Sequence, residues 1–172
     1  MTTATINPSK TGPFVISRTF DTTREQLWKA WTERERLMQW FGPKGVKILT
    51  AKLDLRPKGS FHYCMVTPDG KPIWGKFVYH DIVRPEKIVW VNSFSDEAGG
   101  VTRHPFSGTW PLEMLTTLTL SEKADKTTVT IEWVPIDPSP EELQTFDGGR
   151  NSMIQGWTGT FDQLEEYLAT GK

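Results

Sequence analysis

The sequence predicts an α+β protein in which an antiparallel sheet surrounds one long C-terminal helix, and two patterns support this. From Ser139 to Leu168, apolar residues recur at steps of three, four or seven, the spacing of a single helix face. From Val46 to Pro135, nearly every segment is rich in β-branched and aromatic residues and is bounded by turn residues, as is typical of strands. The helix face is unusually aromatic and needs a large partner surface, which the predicted sheet provides.

The first part of the chain predicts one strand and then two short helices. We expect the strand over Phe14–Phe20. Two capping-box spacings mark the helix starts, and they are formed by Thr22 with Glu25 and by Thr32 with Glu35. The second helix is expected to run to about Met38, and the string Trp40-Phe41-Gly42-Pro43 ends it, because Gly and Pro stop helices.

Six further strands are predicted after these helices, which gives seven strands in all. Their expected bounds are Val46–Leu55, Ser60–Val66, Ile73–Val83, Lys87–Phe94, Met114–Ser121 and Thr127–Val134. Most of the connections are short, as at Pro68-Asp69-Gly70, so neighbouring strands must be antiparallel. The exception is Ser95–Pro111, a long loop that contains Phe106 and Trp110. Loops of this length in compact domains are functional lids or disordered segments.

The turns suggest a register for the central strands. If Phe61 lies opposite Phe77 and Val83 lies opposite Ile88, one face of the sheet is largely apolar. That face contains Phe61, Tyr63, Met65, Phe77, Tyr79, Ile88, Trp90 and Phe94. Asp81 and Asn92 fall on the same face, and since buried polar groups need partners, we expect them at its rim, paired, or in contact with a ligand.

The C-terminal helix has a clear start and several glycines. Ser139-Pro140-Glu141-Glu142 combines a Ser N-cap, Pro at the first helical position and Glu three residues after the cap. The pair Gly148-Gly149 is expected to loosen or kink the helix near its start, because Gly costs about 1 kcal/mol relative to Ala in a helix. Gly156 and Gly159 are expected to let the helix lie close to the sheet or to bring Trp157 deep into it.

Composition excludes several classes of function. The chain of 172 residues predicts one domain over residues 13–172 after a flexible tail, residues 1–12. A net charge of -1 gives no electrostatic reason to expect nucleic acid, and no apolar run reaches the roughly 20 residues of a membrane helix. The single cysteine and the three histidines lack the spacing of metal ligands, so no metal site is predicted. The sequence contains no phosphate-binding loop, so no cofactor is predicted. No secretory signal is present, so a cytoplasmic location is expected.

Several strings, taken in order, resemble a known family. They are Thr19-Phe20-Asp21, Trp40-Phe41-Gly42-Pro43, Gly59 with Phe61, Pro68-Asp69-Gly70, Gly75 through Val89, Trp133-Val134-Pro135, and Gly156-Trp157 with Phe161, Leu164 and Leu168. They resemble the START-like ligand-binding superfamily, or SRPBCC. Within it, they are most similar to the domain named for the activator of heat-shock-protein-90 ATPase. The resemblance covers about Phe14 to Ala169.

This resemblance implies a helix-grip fold of the kind also seen in the birch pollen allergen. In that fold, a seven-stranded antiparallel sheet is wrapped around a long C-terminal helix, often with an interior cavity. Relatives in the superfamily bind lipids, polyketides, hormones or aromatic compounds, and some are cyclases. The resemblance therefore implies a small hydrophobic or aromatic ligand held between the sheet and the helix.

Aromatic side chains dominate the candidate ligand-binding site. The candidates are Trp40, Phe61, Tyr63, Phe77, Tyr79, Asp81, Trp90, Asn92, Met153 and Trp157. Ligand sites are concave and mostly apolar with a few polar groups, and Tyr63, Tyr79 or Asn92 would orient the ligand. The alternative is a filled core, because aromatic residues at strand and helix spacing also occur in ordinary packing.

Two other functions stay open at this point. A cyclase- or hydrolase-like enzyme would use an interior carboxylate, Asp81 or Glu132, or a phenol, Tyr63 or Tyr79. A chaperone-associated protein-interaction module would instead expose an apolar patch. The sequence assigns no catalytic residue and leaves both a monomer and a homodimer possible, since the aromatic residues of Ser95–Pro111 could be buried against a partner.

Overall fold

A computed structural model of the chain describes residues 12–170. The strands are β1 Phe14–Phe20, β2 Lys47–Leu53, β3 Ser60–Val66, β4 Pro72–Val83, β5 Lys87–Ser95, β6 Val101–Thr102, β7 Met114–Lys123 and β8 Lys126–Pro135. The helices are α1 Arg24–Thr32, α2 Arg34–Trp40, α3 Pro140–Gly148 and α4 Arg150–Thr170. The predicted flexible tail, residues 1–12, lies outside the described residues except for Gly12.

The strands form one antiparallel sheet in the order β1-β8-β7-β5-β4-β3-β2, with β6 paired to β5. The inner face of this sheet shares one hydrophobic core with α1, α2 and α4, to which α4 contributes Met153, Trp157, Phe161 and Leu164. The predicted α+β helix-grip fold is confirmed. The sheet gains an eighth strand, because residues 101–102 of the predicted long loop pair with the end of β5.

A β-bulge in β4 changes the predicted register. Phe61 does lie opposite Phe77, as predicted. Between Tyr79 and Asp81, however, the register shifts by one residue, so that Val83 lies opposite Lys87 rather than Ile88. A bulge inserts one extra residue and reverses the facing of the residues beyond it. The prediction that Asp81 lies on the apolar face is therefore wrong, and Asp81 is exposed with its carboxylate 3.5 Å from the Lys87 ammonium.

The two short helices begin one residue later than the capping boxes predict. The N-cap of α1 is Thr23, whose hydroxyl accepts a hydrogen bond from the Gln26 N–H at 3.2 Å. Thr32 is the last residue of α1, and its hydroxyl donates to the Trp28 carbonyl at 2.6 Å. Because Thr32 is still helical, it cannot cap α2, which starts after Glu33 without a side-chain cap and continues to Trp40.

The C-terminal helix starts as predicted and is then interrupted. Ser139 and Glu142 form the expected capping box, with hydrogen bonds of 3.1 and 3.0 Å. At Gly149 the backbone departs from helical geometry, with φ −95° and ψ 8°, so the predicted loosening is a one-residue interruption between α3 and α4. The Gly149 N–H still donates to the Thr145 carbonyl at 3.0 Å, and the Met153 N–H donates to the Gly149 carbonyl at 2.9 Å. The 21 residues of α4 extend about 30 Å at 1.5 Å per residue.

Two features absent from residues 12–170 bear on function. No helix in this part of the chain is both long and apolar enough to cross a membrane. Within the same residues, no group of three or more His, Cys, Asp or Glu side chains is placed to hold a metal ion.

Candidate functional site

A cavity of about 540 Å³ lies between the inner face of the sheet and α4. Its walls come from β3, β4, β5, β7 and β8 on one side and from α3 and α4 on the other. The turn between α2 and β2 and the β6–β7 loop, residues 103–113, complete it. Cavities of roughly 300–1,000 Å³ hold small molecules in proteins, so this one is large enough for a ligand.

The sheet wall is built from aromatic rings in contact. Phe77 and Trp90 stack with their ring centroids 4.4 Å apart and their planes at 11°. Tyr63 lies beside them, with its ring directly over Gly75: a Cβ at residue 75 would be 2.5 Å from the Tyr63 hydroxyl oxygen. Residue 75 must therefore be glycine for the Tyr63 ring to lie against the sheet, where its hydroxyl lies at the cavity wall.

The helix wall contains a gap where a side chain is missing. Met153, Gly156 and Trp157 of α4 all line the cavity. A Cβ at Gly156 would meet no atom within 4 Å, so this glycine leaves open space instead of allowing the close packing that we expected. Gly159 does allow a close approach, although to the turn between α2 and β2 and not to the sheet: a Cβ at residue 159 would lie 3.3 Å from the backbone nitrogen of Lys44.

Side chains of α4 hold the turn that closes one end of the cavity. The Thr160 hydroxyl donates to the Gly42 carbonyl at 3.1 Å. The Gln163 amide donates to the carbonyls of Trp40 at 3.0 Å and Gly42 at 2.8 Å. These bonds satisfy carbonyls left free where α2 ends, and they fix the position of Phe41, which lines the cavity.

The β6–β7 loop is attached to α3 and covers the cavity. The Arg103 guanidinium donates to the Trp110 carbonyl at 3.2 Å and to the Glu142 carboxylate at 2.5 Å. The Thr145 hydroxyl donates to Thr109 at 2.9 Å. The hydrogen bond from the Ser139 backbone N–H in the capping box, followed by the bond from Arg103, lowers the pKa of Glu142. Part of the loop predicted to be a lid or disordered is thus an ordered cover that places Trp110 in the wall.

Several neutral side chains that can donate hydrogen bonds line the cavity. They are the hydroxyls of Ser93, Thr145, Ser152 and Thr160, the indoles of Trp74, Trp90, Trp110, Trp133 and Trp157, and the side chains of Tyr63, Asn92 and His104. Among the described residues, the buried indole N–H of Trp90 has no hydrogen-bond partner. The Thr116 hydroxyl donates to Oδ1 of Asn92 at 2.5 Å, which orients the Asn92 amide. Nδ1 of His104 accepts from the Phe106 N–H at 2.9 Å, so the ring proton of the neutral imidazole is on Nε2.

Burial keeps the titratable members of this set uncharged. It lowers the pKa of His104, which therefore stays neutral at pH 7. It raises the pKa of the Tyr63 phenol, which stays protonated. Among the described residues, no Asp, Glu, Lys or Arg lines the cavity. The site is consequently apolar with a few neutral polar groups.

Six of the predicted site residues line the cavity and four do not. The six are Tyr63, Phe77, Trp90, Asn92, Met153 and Trp157. The other four are Trp40, Phe61, Tyr79 and Asp81, and only Asp81 is exposed. Trp40 is buried by α1, and its indole N–H donates to the Ala30 carbonyl at 3.1 Å. Phe61 and Tyr79 are at most 2% exposed within the packed core, while the bulge turns Asp81 outward.

Sequence reasoning missed several members of the wall. Phe41, Trp74, His104, Trp110 and Trp133 line the cavity but were not among the candidates. Trp110 and His104 come from the loop, whose aromatic content was a usable signal. Trp133 lies near the end of β8 in the string Trp133-Val134-Pro135, and its position in the wall depends on contact with Trp157, 5.7 Å away between ring centroids.

Comparisons with known proteins agree with this architecture. The model of the family described as activator of Hsp90 ATPase homolog 1-like protein matches residues 21–169. A protein of Nitrosomonas europaea has a similar crystal structure, with a TM-score of 0.72, 22% identity, and coverage of 91% of this chain and 94% of that one.

Two further solved structures are similar. A Mycobacterium smegmatis protein superposes with a TM-score of 0.72 and 23% identity, covering 92% of this chain and 90% of that one. A solution structure from Staphylococcus epidermidis has a TM-score of 0.67 and 25% identity, with the same coverage of 92% and 90%. No curated protein matches the chain.

Proposed function

The chain belongs to the family of activator of Hsp90 ATPase homolog 1-like proteins, and on this premise we propose that it binds a small hydrophobic or aromatic molecule between the sheet and α4. The observation that carries the proposal is the cavity of about 540 Å³ with walls made largely of aromatic side chains. Walls of this kind bury most of a ligand's apolar surface, which is the main source of affinity for such molecules.

Burial of apolar ligand surface would supply the driving force for binding in this cavity. Removing apolar ligand surface from water contributes about 25 cal/mol per Å², from which the cost of immobilising the ligand is subtracted. A filled core would leave no cavity of about 540 Å³ between the sheet and α4. Gly156 lines this cavity and a Cβ there would meet no atom within 4 Å, so we infer that a ligand ring could occupy the space beside it.

The candidate carboxylates of the enzymatic alternative do not line the cavity. Asp81 is exposed and paired with Lys87, and neither Asp81 nor Glu132 is among the cavity residues. Of the named groups in the wall, Tyr63 remains, and its raised pKa makes it a proton donor to hydrogen bonds instead of a base at neutral pH. We therefore place binding ahead of catalysis.

Native mass spectrometry of the purified protein, beside the same sample denatured, is the first test. A mass increment that disappears on denaturation would identify a bound molecule. Whatever this shows, the binding of the neutral fluorescent probe N-phenyl-1-naphthylamine can be titrated directly. We expect its fluorescence to rise with the protein and to saturate at one probe per chain.

A matched pair of glycine variants locates the probe. Gly156→Leu extends a side chain into the open space of the cavity, so probe affinity should fall at least about tenfold, as expected when the site loses its room for a ring. Gly148→Leu is the control, because Gly148 is exposed, has equally open surroundings and does not line the cavity. Equal affinity in both variants, or no binding by the unaltered protein, would contradict the proposal.

A further inference from the structure

We propose that the ligand of this cavity is uncharged and carries a hydrogen-bond acceptor, such as a carbonyl oxygen, on its apolar framework. The inference rests on the proposed ligand binding and names the chemical class that this site prefers. It follows from two features of the described residues that line the cavity. None of them carries a charged side chain, and some of them have hydrogen-bond donors without partners.

The absence of charge argues against ionic ligands. Among the described residues that line the cavity, none is Lys, Arg, Asp or Glu. The imidazole of His104 is the only basic group in this described wall, and burial together with the bond from the Phe106 N–H holds it neutral. A buried carboxylate or phosphate without a cation is strongly unfavourable. The site therefore disfavours fatty-acid and phosphate ligands.

Asn92 supplies the best-defined donor. Its Oδ1 is engaged by the hydroxyl of Thr116, a residue with no exposed surface. The Asn92 amide N–H groups make no hydrogen bond to any described residue, and Asn92 lines the cavity. Asn92 is partly buried, so a ligand oxygen at its free donors would replace water. Thr116 thus acts as a positioning residue that presents the amide donors to the ligand. The indole N–H of Trp90 in the same wall is buried without a partner among the described residues, and an unpaired buried donor costs free energy that a ligand oxygen recovers.

The Tyr63 hydroxyl is a second donor on the same face. It makes no hydrogen bond to a described residue, and it lies over Gly75 at the cavity wall. Gly75 pairs with Phe94 and Phe77 pairs with Asn92, so residues 75 and 92 are diagonal neighbours on adjacent strands. Such positions are about 7–8 Å apart, a distance over which one bound molecule can contact both donors.

Three naphthalene probes separate the contributions of shape, acceptor and charge. 2-Acetylnaphthalene carries a carbonyl oxygen, 2-isopropenylnaphthalene replaces that oxygen with a CH₂ group, and 2-naphthoate carries a carboxylate. Each can be titrated against tryptophan fluorescence, because Trp74, Trp90, Trp110, Trp133 and Trp157 line the cavity. The informative quantity is the ratio of Kd for the ketone to Kd for the hydrocarbon.

Replacing a donor should change this ratio selectively. In Asn92→Leu and in Tyr63→Phe, we expect the ratio to rise by about two- to tenfold, as expected for one lost hydrogen bond. The Kd for the hydrocarbon reports whether each variant keeps an intact cavity. Tyr79→Phe is the matched control, because Tyr79 is buried on the same sheet face outside the cavity, and it should leave the ratio unchanged.

The outcomes distinguish the two proposals. An unchanged ratio in both donor variants would overturn the acceptor inference and leave ligand binding in place. Naphthoate binding to the unaltered protein within tenfold of the ketone would overturn the preference for uncharged ligands. If neither neutral probe binds at its solubility limit, the proposed function itself is wrong, and the inference with it.

Discussion

The interior between the sheet and the helices has two ends with similar aromatic side chains, but one end is filled and the other is open. The packed end contains Trp28, Trp31, Trp40, Phe61 and Tyr79, each at most 2% exposed. The open end contains Tyr63, Asn92, Trp110, Met153 and Trp157, all of which line the cavity.

The difference comes from the elements that cover each end. At the packed end, α1 and α2 insert tryptophans, and the rings of Trp31 and Trp40 meet edge to face at 4.8 Å. At the open end, α4 presents Gly156, and the β6–β7 loop covers the site from a distance that leaves room inside. Gly156 thus leaves room on the helix side of the cavity, while the sheet side remains aromatic.

The largest expected effect contrasts one tryptophan from each end. Trp40→Ala should lower the free energy of unfolding by about 3–5 kcal/mol, since it removes a fully packed ring. It also removes the donor to the Ala30 carbonyl. Trp157→Ala should cost less, about 2–3 kcal/mol, because part of its ring faces the cavity and not protein atoms. Urea unfolding monitored by circular dichroism measures both.

In probe binding, the order of the two effects should be reversed, with the larger effect for Trp157→Ala. Trp157→Ala should weaken binding of N-phenyl-1-naphthylamine, while Trp40→Ala should leave the Kd unchanged under conditions where it is folded. Equal destabilisation by the two substitutions, together with unaltered binding in Trp157→Ala, would show that the open end is packed like the other.

A second test addresses the contact between Tyr63 and Gly75. Gly75→Ala places a Cβ 2.5 Å from the Tyr63 hydroxyl, so the ring must move, and we expect a loss of about 1–3 kcal/mol. The effect should largely disappear in a Tyr63→Ala background, because the clash is then absent. A double-mutant cycle by urea unfolding measures this coupling, and additive losses would contradict the contact.

Substitution of two glycines of α4 by alanine should change stability to different extents. Gly156→Ala should raise the free energy of unfolding by about 1 kcal/mol, since the space is open and Ala is the better helix former. Gly159→Ala should gain less or lose stability, because its Cβ would lie 3.3 Å from the Lys44 nitrogen. Thermal melts of the two variants provide the comparison, and an equal gain in both would mean that α4 is not held against the loop at Lys44.

The smallest expected effect is a pH dependence at the open end. Burial lowers the pKa of His104 in the folded protein, so the unfolded chain binds this proton more readily. Stability should therefore be unaffected above the unfolded pKa of about 6.5 and should fall as the pH decreases below it. Unfolding at pH 7.5 and 5.5 tests this, and His104→Asn should show a smaller loss than the unaltered protein.

The strand and helix patterns selected several residues that line the cavity. The alternation of side chains along the strands, with the register set by the turns, placed Tyr63, Phe77, Trp90 and Asn92 on one face. The spacing of apolar residues along the helix added Trp157. The same alternation also selected Phe61 and Tyr79, because it assigns a face of the sheet but not a position along the strand. It failed at Asp81, since a one-residue bulge has no signature in a hydrophobic pattern.

The alternation and helix patterns could not place residues that reach the cavity from β8 and from the β6–β7 loop. Trp133 and His104 reach the cavity through pairing and loop contacts between segments that are distant in sequence. Whether Gly156 serves close packing or leaves open space depends on what lies opposite it, and the sequence is compatible with both. The interruption at Gly149 was visible as a weakness of the helix, but the sequence did not show that Trp110 would lie 3.3 Å from where a Cβ of residue 149 would be.

By itself, the sequence determined the α+β class, the order of most strands and helices, the antiparallel pairing and the apolar faces outside the bulge of β4. These follow from local backbone periodicity, turn residues and helix caps, which act over a few residues. The tertiary structure alone decided which end of the interior is filled and which donors lack partners. Those properties depend on the volumes and hydrogen bonds that distant segments contribute to the same space, and no local pattern encodes that sum.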